Sequence, residues 1–483
     1  MVTLTGLLTR LPPEPAEAGL FREIQQAVAE SKRKLVVIDD DPTGTQTVHD
    51  VELLTTWNSP LLAEALREHS QLFYLLTNSR SMPESDAARL NHQLAQLLLA
   101  ASLATDVDFV IASRSDSTLR GHYPAEITAL EDGLTSSGHA GFDGHLIVPA
   151  FFEGGRYTLN DIHYVATPTA TSDVLLPAHE TPFARDSVFG YETAYLPRWI
   201  EEKSRGRWRS HDVISIDLDL IRRGGPRAVA ETLKRVGGGA PVIINAAGYG
   251  DLAVAVLGLL WAEAAGKRFI YRTAASFVRL RGAIEHRPLL EAREIVGGDL
   301  LTAASGGIVI VGSYVPGSSQ QLEHLLKLPD IVGIELPVAR VIGGAQEAET
   351  VSHQIGQQLE SAVKSGSVGV VYTSRKLITG AHHNESLEIG KRVSTALIAA
   401  LHSVATQPRF IIAKGGITSH DVAQKGLGAA RAHVLGQLFP GVPVWRLESG
   451  PQSKFPGVPY IVFPGNVGDP ESLARAVTTL RTA

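Results

Sequence analysis

The sequence predicts an α/β protein of two domains, each a largely parallel sheet flanked by helices. Three observations lead there. Short apolar, β-branched runs recur along the 483 residues. Amphipathic stretches of helical period separate many of them, and many of the 46 glycines directly follow a run. Such alternation builds parallel sheets covered by helices, and sheets of that kind bind ligands beyond the carboxyl ends of their strands. The length fits two domains.

Strands are expected at 35–38, 73–76, 109–112, 146–148, 213–216, 242–244 and 269–271, then at 308–311, 368–372, 410–413 and 460–463. Helices are expected at 60–68, 86–99, 349–364 and 392–404. The longest apolar stretch, 252–265, is broken by Gly258 and carries Glu263. It is too short for a membrane span and reads as a buried helix. Residues 279–307 mix charges with glycines and contain no evident strand. The expected organisation is therefore an N-terminal extension (1–33), a first domain (34–290) and a second (291–483). Residues 158–210 are polar, with Pro168, Pro177, Pro182 and Pro197, and read as an irregular excursion or a partner-facing loop.

Composition narrows the function. Lys and Arg total 44 against 50 Asp and Glu, a net charge of −6, which argues against a nucleic-acid binder. Cysteine is absent, which excludes disulfides, thiolate metal sites and cysteine nucleophiles. The N-terminal stretch is acidic and proline-rich with no apolar core, so it is not a signal peptide. A cytoplasmic protein with no membrane partner is expected, and a homodimer is the expected assembly.

The first expected strand ends in Asp39, Asp40 and Asp41, followed by Pro42, Thr43 and Gly44. Three buried like charges need something positive or hydroxyl-rich to meet them. They can bind polyol hydroxyls, hold a divalent cation or accept a proton. A helix cap needs one such residue, not three. The second strand ends in Thr77, Asn78, Ser79 and Arg80. The third ends in Ser113, Arg114, Ser115, Asp116, Ser117, Thr118, Leu119, Arg120 and Gly121. Arginine offers a planar donor fork for a carboxylate, and Ser, Thr and Asn suit sugar hydroxyls. The fourth strand leads to Gly154, Gly155 and Arg156, with His163 close behind; a lone histidine there reads as structural. Together these ends describe a pocket for a small, hydroxylated, anionic ligand. Asp40, Asp41 and Asp116 are the candidates for accepting a proton. Arg80, Arg114 and Arg120 are the candidates for holding a carboxylate. Asn78, Ser117, Thr118, Gly121 and Arg156 complete the expected contacts.

The second half has a different character. The strand at 410–413 runs into Lys414, Gly415, Gly416, Ile417, Thr418 and Ser419, then a helical segment with Asp421 expected in its first turn. A glycine turn opening a helix exposes backbone N–H groups to an anion, and Lys414 adds a charge. Further glycine turns are expected at 436–441 and 465–468. Neither a P-loop nor a G-x-G-x-x-G turn occurs, and there is no H-E-x-x-H or G-x-S-x-G motif.

Taken together, Asp40-Asp41-Pro-Thr-Gly44, Asp116-Ser-Thr-Leu-Arg-Gly121, Pro149-Ala-Phe-Phe-x-x-Gly-Arg156, Lys414-Gly-Gly-x-Thr418, Gly436-Gln-x-x-Pro-Gly441 and Gly465-Asn-x-Gly468 resemble the four-carbon acid sugar kinase family. The likeness covers about residues 34–475. In that family a lysine often precedes the Asp-Ser-Thr motif, where Arg114 stands here. The resemblance implies an N-terminal sugar-acid-binding domain and a C-terminal nucleotide-binding domain. It implies ATP, with Mg²⁺, as phosphoryl source for the terminal hydroxyl of an acid such as erythronate or threonate. It places nucleotide contacts at Ser313, at Gly415, Gly416, Ile417 and Thr418 beside Lys414, and at Gly465 with Asn466.

Two other readings compete. Asp39-x-Asp41-x-Thr43 fits the nucleophile strand of haloacid-dehalogenase phosphatases, and Leu76-Thr77-Asn78-Ser79 resembles their second motif. That fold also needs a late lysine and an acidic strand end, which do not pair convincingly here, and it leaves the later glycine turns unexplained. The third reading is a sugar-acid-binding protein without catalysis.

Overall fold

The computed structural model describes residues 2–167, 174–301, 305–312, 316–375, 378, 383–465 and 467–482. The chain forms two compact units, one of residues 1–48 and 57–286, the other of 49–56 and 287–483.

The first unit holds seven parallel strands: β1 (Lys34–Asp39), β2 (Leu72–Leu76), β3 (Phe109–Arg114), β4 (Gly144–Val148), β5 (Ile214–Ile216), β6 (Ala240–Ile244) and β7 (Phe269–Thr273). Their order across the sheet is β5-β6-β4-β7-β3-β1-β2. All seven expected strands of this half are present. Most are buried along their whole length, because helices cover a parallel sheet on both faces. From β1 the chain passes to β2 on one side, then to β3 on the other. The crevice of the sheet, where ligands bind in such folds, therefore opens at the carboxyl ends of β1 and β3.

The apolar stretch near 252–265 is the helix Tyr249–Ala264, buried on nearly every side. Residues 1–33 are built into this unit. Val2–Thr3 pairs with a later strand, and the helix Glu17–Ser31 packs on Tyr249–Ala264. The described residues of the polar stretch 158–210 are partly built into regular structure. Arg156–Leu159, Ile162–Ala166 and Val174–Pro177 form an antiparallel sheet completed by Val2–Thr3. Two short 3₁₀ turns and the helix Leu196–Lys203 follow. Their shortness and the polar residues within them, Arg156, Thr158 and His163, hid these strands from a search for apolar runs.

The second unit contains five parallel strands: β8 (Ile308–Val311), β9 (Ile331–Leu336), β10 (Val368–Thr373), β11 (Ile411–Lys414) and β14 (Pro459–Phe463). An antiparallel extension comprises β13 (Val442–Leu447), β12 (Arg431–Phe439) and Val51–Leu54. The last comes from the first half of the sequence and pairs Val51 with Val434 and Leu54 with Arg431. Two expectations change. Gly436 is not in a turn: it lies inside β12 at a bulge, with φ 141°. The turn of that hairpin falls at Gly441, with φ 79°. Asp421 is the last residue of the helix Gly416–Asp421, not part of its first turn.

One buried ion pair braces β7 from behind. Arg281, fully buried, donates from Nη2 to Glu263 Oε2 (2.8 Å) and from Nε to the Tyr271 hydroxyl (3.2 Å). Tyr271 in turn donates to Glu263. Three elements, two helix ends and β7, meet at this triad. Arg281→Leu is expected to lower stability by about 3–5 kcal/mol by leaving Glu263 buried and uncompensated. Adding Glu263→Gln should recover part of the loss, read as the midpoint of the first transition in urea.

Candidate functional site

At the crevice of the first unit, register alone sets Asp39 of β1 opposite Arg114 of β3, and Ser113 opposite Arg272 of β7. Asp39 Oδ1 accepts from Arg114 Nη1 (3.2 Å) and from the backbone N–H of Asp41 (3.2 Å). Burial pushes the Asp39 carboxyl up to about 7, against the pull of Arg114. Gly44 closes over this group: a Cβ there would lie 1.6 Å from Asp39 Oδ2.

Arg80 stands among three carboxylates. It donates to Asp41, and its Nη1 lies 3.5 Å from Asp116 and 3.8 Å from Asp40. Asp41 also accepts from the Thr43 hydroxyl and the Thr43 N–H (2.8 Å). Burial would raise its carboxyl, but Arg80 and Thr43 outweigh burial and hold it below the usual carboxylate range. Asp116 accepts from Arg120 Nε (2.8 Å) and from the Thr118 hydroxyl. It too is held low: burial is overcome by Arg120 and Arg80. Asp40 differs. Its Oδ2 accepts from Ser115 Oγ (2.5 Å), while its Oδ1 is buried and accepts no hydrogen bond.

The loop carrying Asp116 is fixed from several sides. Leu119 takes φ 69° and Gly121 φ 116°. A Cβ on Gly121 would fall 2.4 Å from Ser115 Oγ and 3.1 Å from Asp40 Oδ2, so only glycine fits. His163, fully buried, donates from Nε2 to the Ser117 carbonyl (2.7 Å) and accepts at Nδ1 from the Thr158 hydroxyl (3.0 Å). Burial lowers its pKa to about 4, so it stays neutral and structural. Tyr191 donates to the Thr118 carbonyl (2.8 Å). The Phe183 ring lies under both Arg120 (5.0 Å) and Arg156 (5.9 Å), and Asp186 sits 3.5 Å from Arg120. The stretch expected to be an irregular excursion or a partner-facing loop thus walls the chain's own loop.

The structure brings Asp40, Asp41, Asp116, Arg80, Arg114 and Arg120 into one charge network, with Ser117, Thr118 and Gly121 on its rim. Asn78 opens the turn that carries Arg80, in the left-handed region (φ 52°). Arg156 reaches the same network through Phe183. The three arginines expected to hold a ligand carboxylate are each paired with carboxylates of the chain itself. Two residues escaped the sequence reading. Arg272, one residue from the end of β7, donates from Nη2 to the Arg120 carbonyl (2.9 Å). Glu126, buried in the helix Ala125–Thr135, accepts from Ser79 and, at 3.4 Å, from Asn91. An arginine inside an apolar run was the available signal for the first. A glutamate in the first turn of a helix looks like a dipole partner, and nothing else marked the second.

In the second unit, β8 lies between β10 and β11, so the corresponding crevice opens at the ends of β8 and β11. Gly312 follows β8, and a Cβ there would fall 2.1 Å from Thr418 Oγ1. The structure therefore joins the end of β8 to the 415–418 turn. Gly415 has φ 110° and donates to the Phe463 carbonyl (2.9 Å). Gly465 accepts from Ser318 Oγ (3.1 Å). Lys414 does not present a charge to solvent. Fully buried, it donates to the Pro464 carbonyl (2.7 Å) and lies 4.3 Å from the Phe463 ring centre, with burial lowering its pKa to about 7. It ties the 464–465 loop to β11. Gly416, Ile417 and Thr418 open the helix Gly416–Asp421, with Ile417 exposed. Ser313 and Asn466 lie outside the described residues. Among the described residues, no group of three or more His, Asp or Glu side chains is arranged to hold a metal, and no helix is long and apolar enough to cross a membrane.

Comparison with known proteins bears on both units. A family model described as a sugar-binding N-terminal domain matches residues 35–281, and one described as a nucleotide-binding C-terminal domain matches residues 308–473. A Salmonella typhimurium LT2 structure titled a putative tRNA synthase is 17% identical, with TM-score 0.63 over 92% of this chain and 98% of its own. A Haemophilus influenzae protein of family DUF1537 is 18% identical, with TM-score 0.58 over 92% of this chain and 99% of its own. At these identities the structures show a shared two-domain α/β fold. The comparison with curated proteins gives no match. The chain belongs to the four-carbon acid sugar kinase family, with its sugar-binding and nucleotide-binding domains in that order.

The buried acids give a pH test. Burial, with the Asp40 charge adding to it, raises Glu126 from 4.5 to about 7. A raised carboxyl contributes stability that is complete below its unfolded pKa and is lost as pH rises through its folded one. The window is therefore pH 4.5 to 7. Glu126→Gln keeps the acceptor for Ser79 but cannot ionise. Its unfolding free energy, read from urea melts, should match wild type near pH 4.5 and exceed it increasingly toward pH 7, by up to about 3 kcal/mol. A constant difference across that range would refute the assignment.

Proposed function

We propose that this member of the four-carbon acid sugar kinase family phosphorylates a terminal hydroxyl of a small sugar acid, a four-carbon aldonate such as erythronate or threonate, at the expense of ATP. The observation that supports this most directly is the presence of sugar-binding and nucleotide-binding domains on one chain. The site adds chemical detail. A crevice rich in Ser, Thr, Asn, Asp and Arg suits a polyhydroxy anion better than an apolar or cationic ligand.

Phosphoryl transfer needs little covalent help from a protein; it needs positioning and neutralisation of charge. The hydroxyl oxygen forms the new P–O bond as the bond to the leaving diphosphate breaks, and the hydroxyl proton goes to a base. Asp40 is the carboxylate best placed for that proton. Asp41 and Asp116 are held ionised by arginines and hydroxyls, which makes them weak bases. Asp39 is locked against Arg114 beneath Gly44. Asp40 alone among the four has an oxygen that is fully buried and accepts no hydrogen bond, and Ser115 fixes the other. In the second unit, Gly312, the 415–418 turn and Gly465 are proposed to hold the nucleotide through backbone groups, and Lys414 to set the loop. Mg²⁺ supplies charge neutralisation when bound, with phosphate oxygens and water as its main ligands. The phosphatase reading loses its basis because its nucleophile, Asp39, is enclosed and ion-paired.

The reading is tested by a coupled ADP-release screen over four- to six-carbon sugar acids. Acid-dependent ADP release is expected. Asp40→Asn should lower kcat by about 10²–10⁴-fold, the usual contribution of a general base, while KM for acid and nucleotide change little. A kcat within tenfold of wild type would remove Asp40 from that role.

A further inference from the structure

Five arginines line the crevice of the first unit, and they fall into two groups. Arg80, Arg114 and Arg120 each lie within 4 Å of one or more carboxylates of the chain. Arg156 and Arg272 have no carboxylate within that distance among the described residues, and each donates instead to a carbonyl. Arg156 donates from Nη1 to Gly154, and Arg272 from Nη2 to Arg120. Arg272 is 3% exposed, and Arg156 Nε is buried with no hydrogen-bond partner. Electrostatics divides them in the same way. Nearby carboxylates overcome burial and raise the first three above the usual arginine value. Burial prevails for the other two and lowers them, which is the mark of a buried cation short of an anion.

Both unpaired groups adjoin the same loop. Arg272 holds the Arg120 carbonyl, and its Nη2 lies 3.7 Å from the point where a Cβ on Gly121 would stand. Arg156 shares the Phe183 ring with Arg120.

We propose that Arg156 and Arg272 together hold the carboxylate of the substrate, Arg272 being the specificity-determining residue that makes the site select acids over neutral polyols. The inference rests on the kinase reading for the identity of the ligand, but the anion site itself does not require catalysis. The arginines paired within the chain then serve to position Asp40, Asp41 and Asp116. An acid held at the Arg156 and Arg272 end would extend its hydroxyls past the Asp116 loop.

The test uses the full chain and two measurements. Calorimetry without nucleotide compares erythronate, threonate and the neutral polyol erythritol on wild type, Arg272→Met, Arg272→Lys and Arg156→Met. ADP release is followed on the same proteins. Wild type is expected to bind at least one of the two acids and to reject erythritol. Arg272→Met and Arg156→Met should each weaken acid binding by 10- to 100-fold, with nucleotide affinity unchanged. Arg272→Lys should recover part of the loss. Arg156 is only half-buried, so its variant tests the pair even if Arg272→Met fails to fold. Acid affinity within twofold of wild type in a folded Met variant overturns the proposal, as does equal binding of erythritol or binding of neither acid by wild type. Loss of acid binding in the variants without ADP release by wild type would keep the anion site and reject the kinase. ADP release with unchanged acid KM in the variants would do the reverse.

Discussion

Burying several carboxylates at one end of a parallel sheet is tolerable only when guanidinium groups meet them there. An uncompensated buried charge costs several kcal/mol. The pair Asp39–Arg114 meets this demand across adjacent strands, and Arg80 meets it for Asp40, Asp41 and Asp116 at once. Much of the local chain follows from that. Gly44 lacks a side chain because Asp39 fills the space, and Gly121 lacks one because Ser115 and Asp40 do. His163 and Tyr191 hold backbone carbonyls of the loop that carries Asp116, so the antiparallel sheet and the segment after it support the charge network from outside. Packing, loop shape and electrostatics all serve the same crevice.

The parts of the fold legible in the sequence are those whose physics leaves a local mark. Strands covered on both faces read as unbroken apolar runs, and β1 to β7 were all visible that way. Ile331–Leu336 was not, because alternate residues are exposed along an edge strand. Val51–Leu54 was hidden by Glu52 and by its shortness; only its pairing with Arg431–Val434 makes it a strand. Gly436 looked like a turn because glycine marks turns and bulges alike. In the site, acids and arginines just past strand ends were visible, since the fold class says where to look. Their pairing was not. Which arginine meets which carboxylate depends on register and loop course, and Arg272 sits inside its strand, one residue from the end.

Lys414 illustrates the same limit from the other side. Beside a double glycine it read as a phosphate ligand, yet it is buried against Phe463 and bound to the Pro464 carbonyl. A lysine at the end of a buried strand is surrounded by more backbone than water. Its three donors are best satisfied by the carbonyls of the neighbouring strand's exit loop, which is where Pro464 and Gly465 lie. The result is a turn whose shape is set by a cation that does not itself face outward. What that crevice offers a ligand is then chiefly backbone, through Gly312, the 415–418 turn and Gly465.

The two kinds of arginine in the first unit point to a division of labour that electrostatics enforces. A guanidinium already matched by a carboxylate gains little from a second anion, and offering it one would require breaking the first pair. Such groups are suited to holding acids in place and keeping them ionised, as Arg80 and Arg120 do for Asp41 and Asp116. A guanidinium matched only by carbonyls keeps most of its affinity for an anion in reserve. The same logic applies to the acids, with the sign reversed. Asp41 has both oxygens engaged and Asp116 is held by Arg120, Thr118 and Arg80, whereas Asp40 keeps one buried oxygen that accepts no hydrogen bond. Folding alone gives no reason to leave such an oxygen unsatisfied, since a neighbouring hydroxyl or amide would remove the cost. That an unmatched acceptor and two cations without a carboxylate partner occur around one loop, beside arginines each matched by carboxylates, locates the part of the crevice shaped for something other than the chain itself.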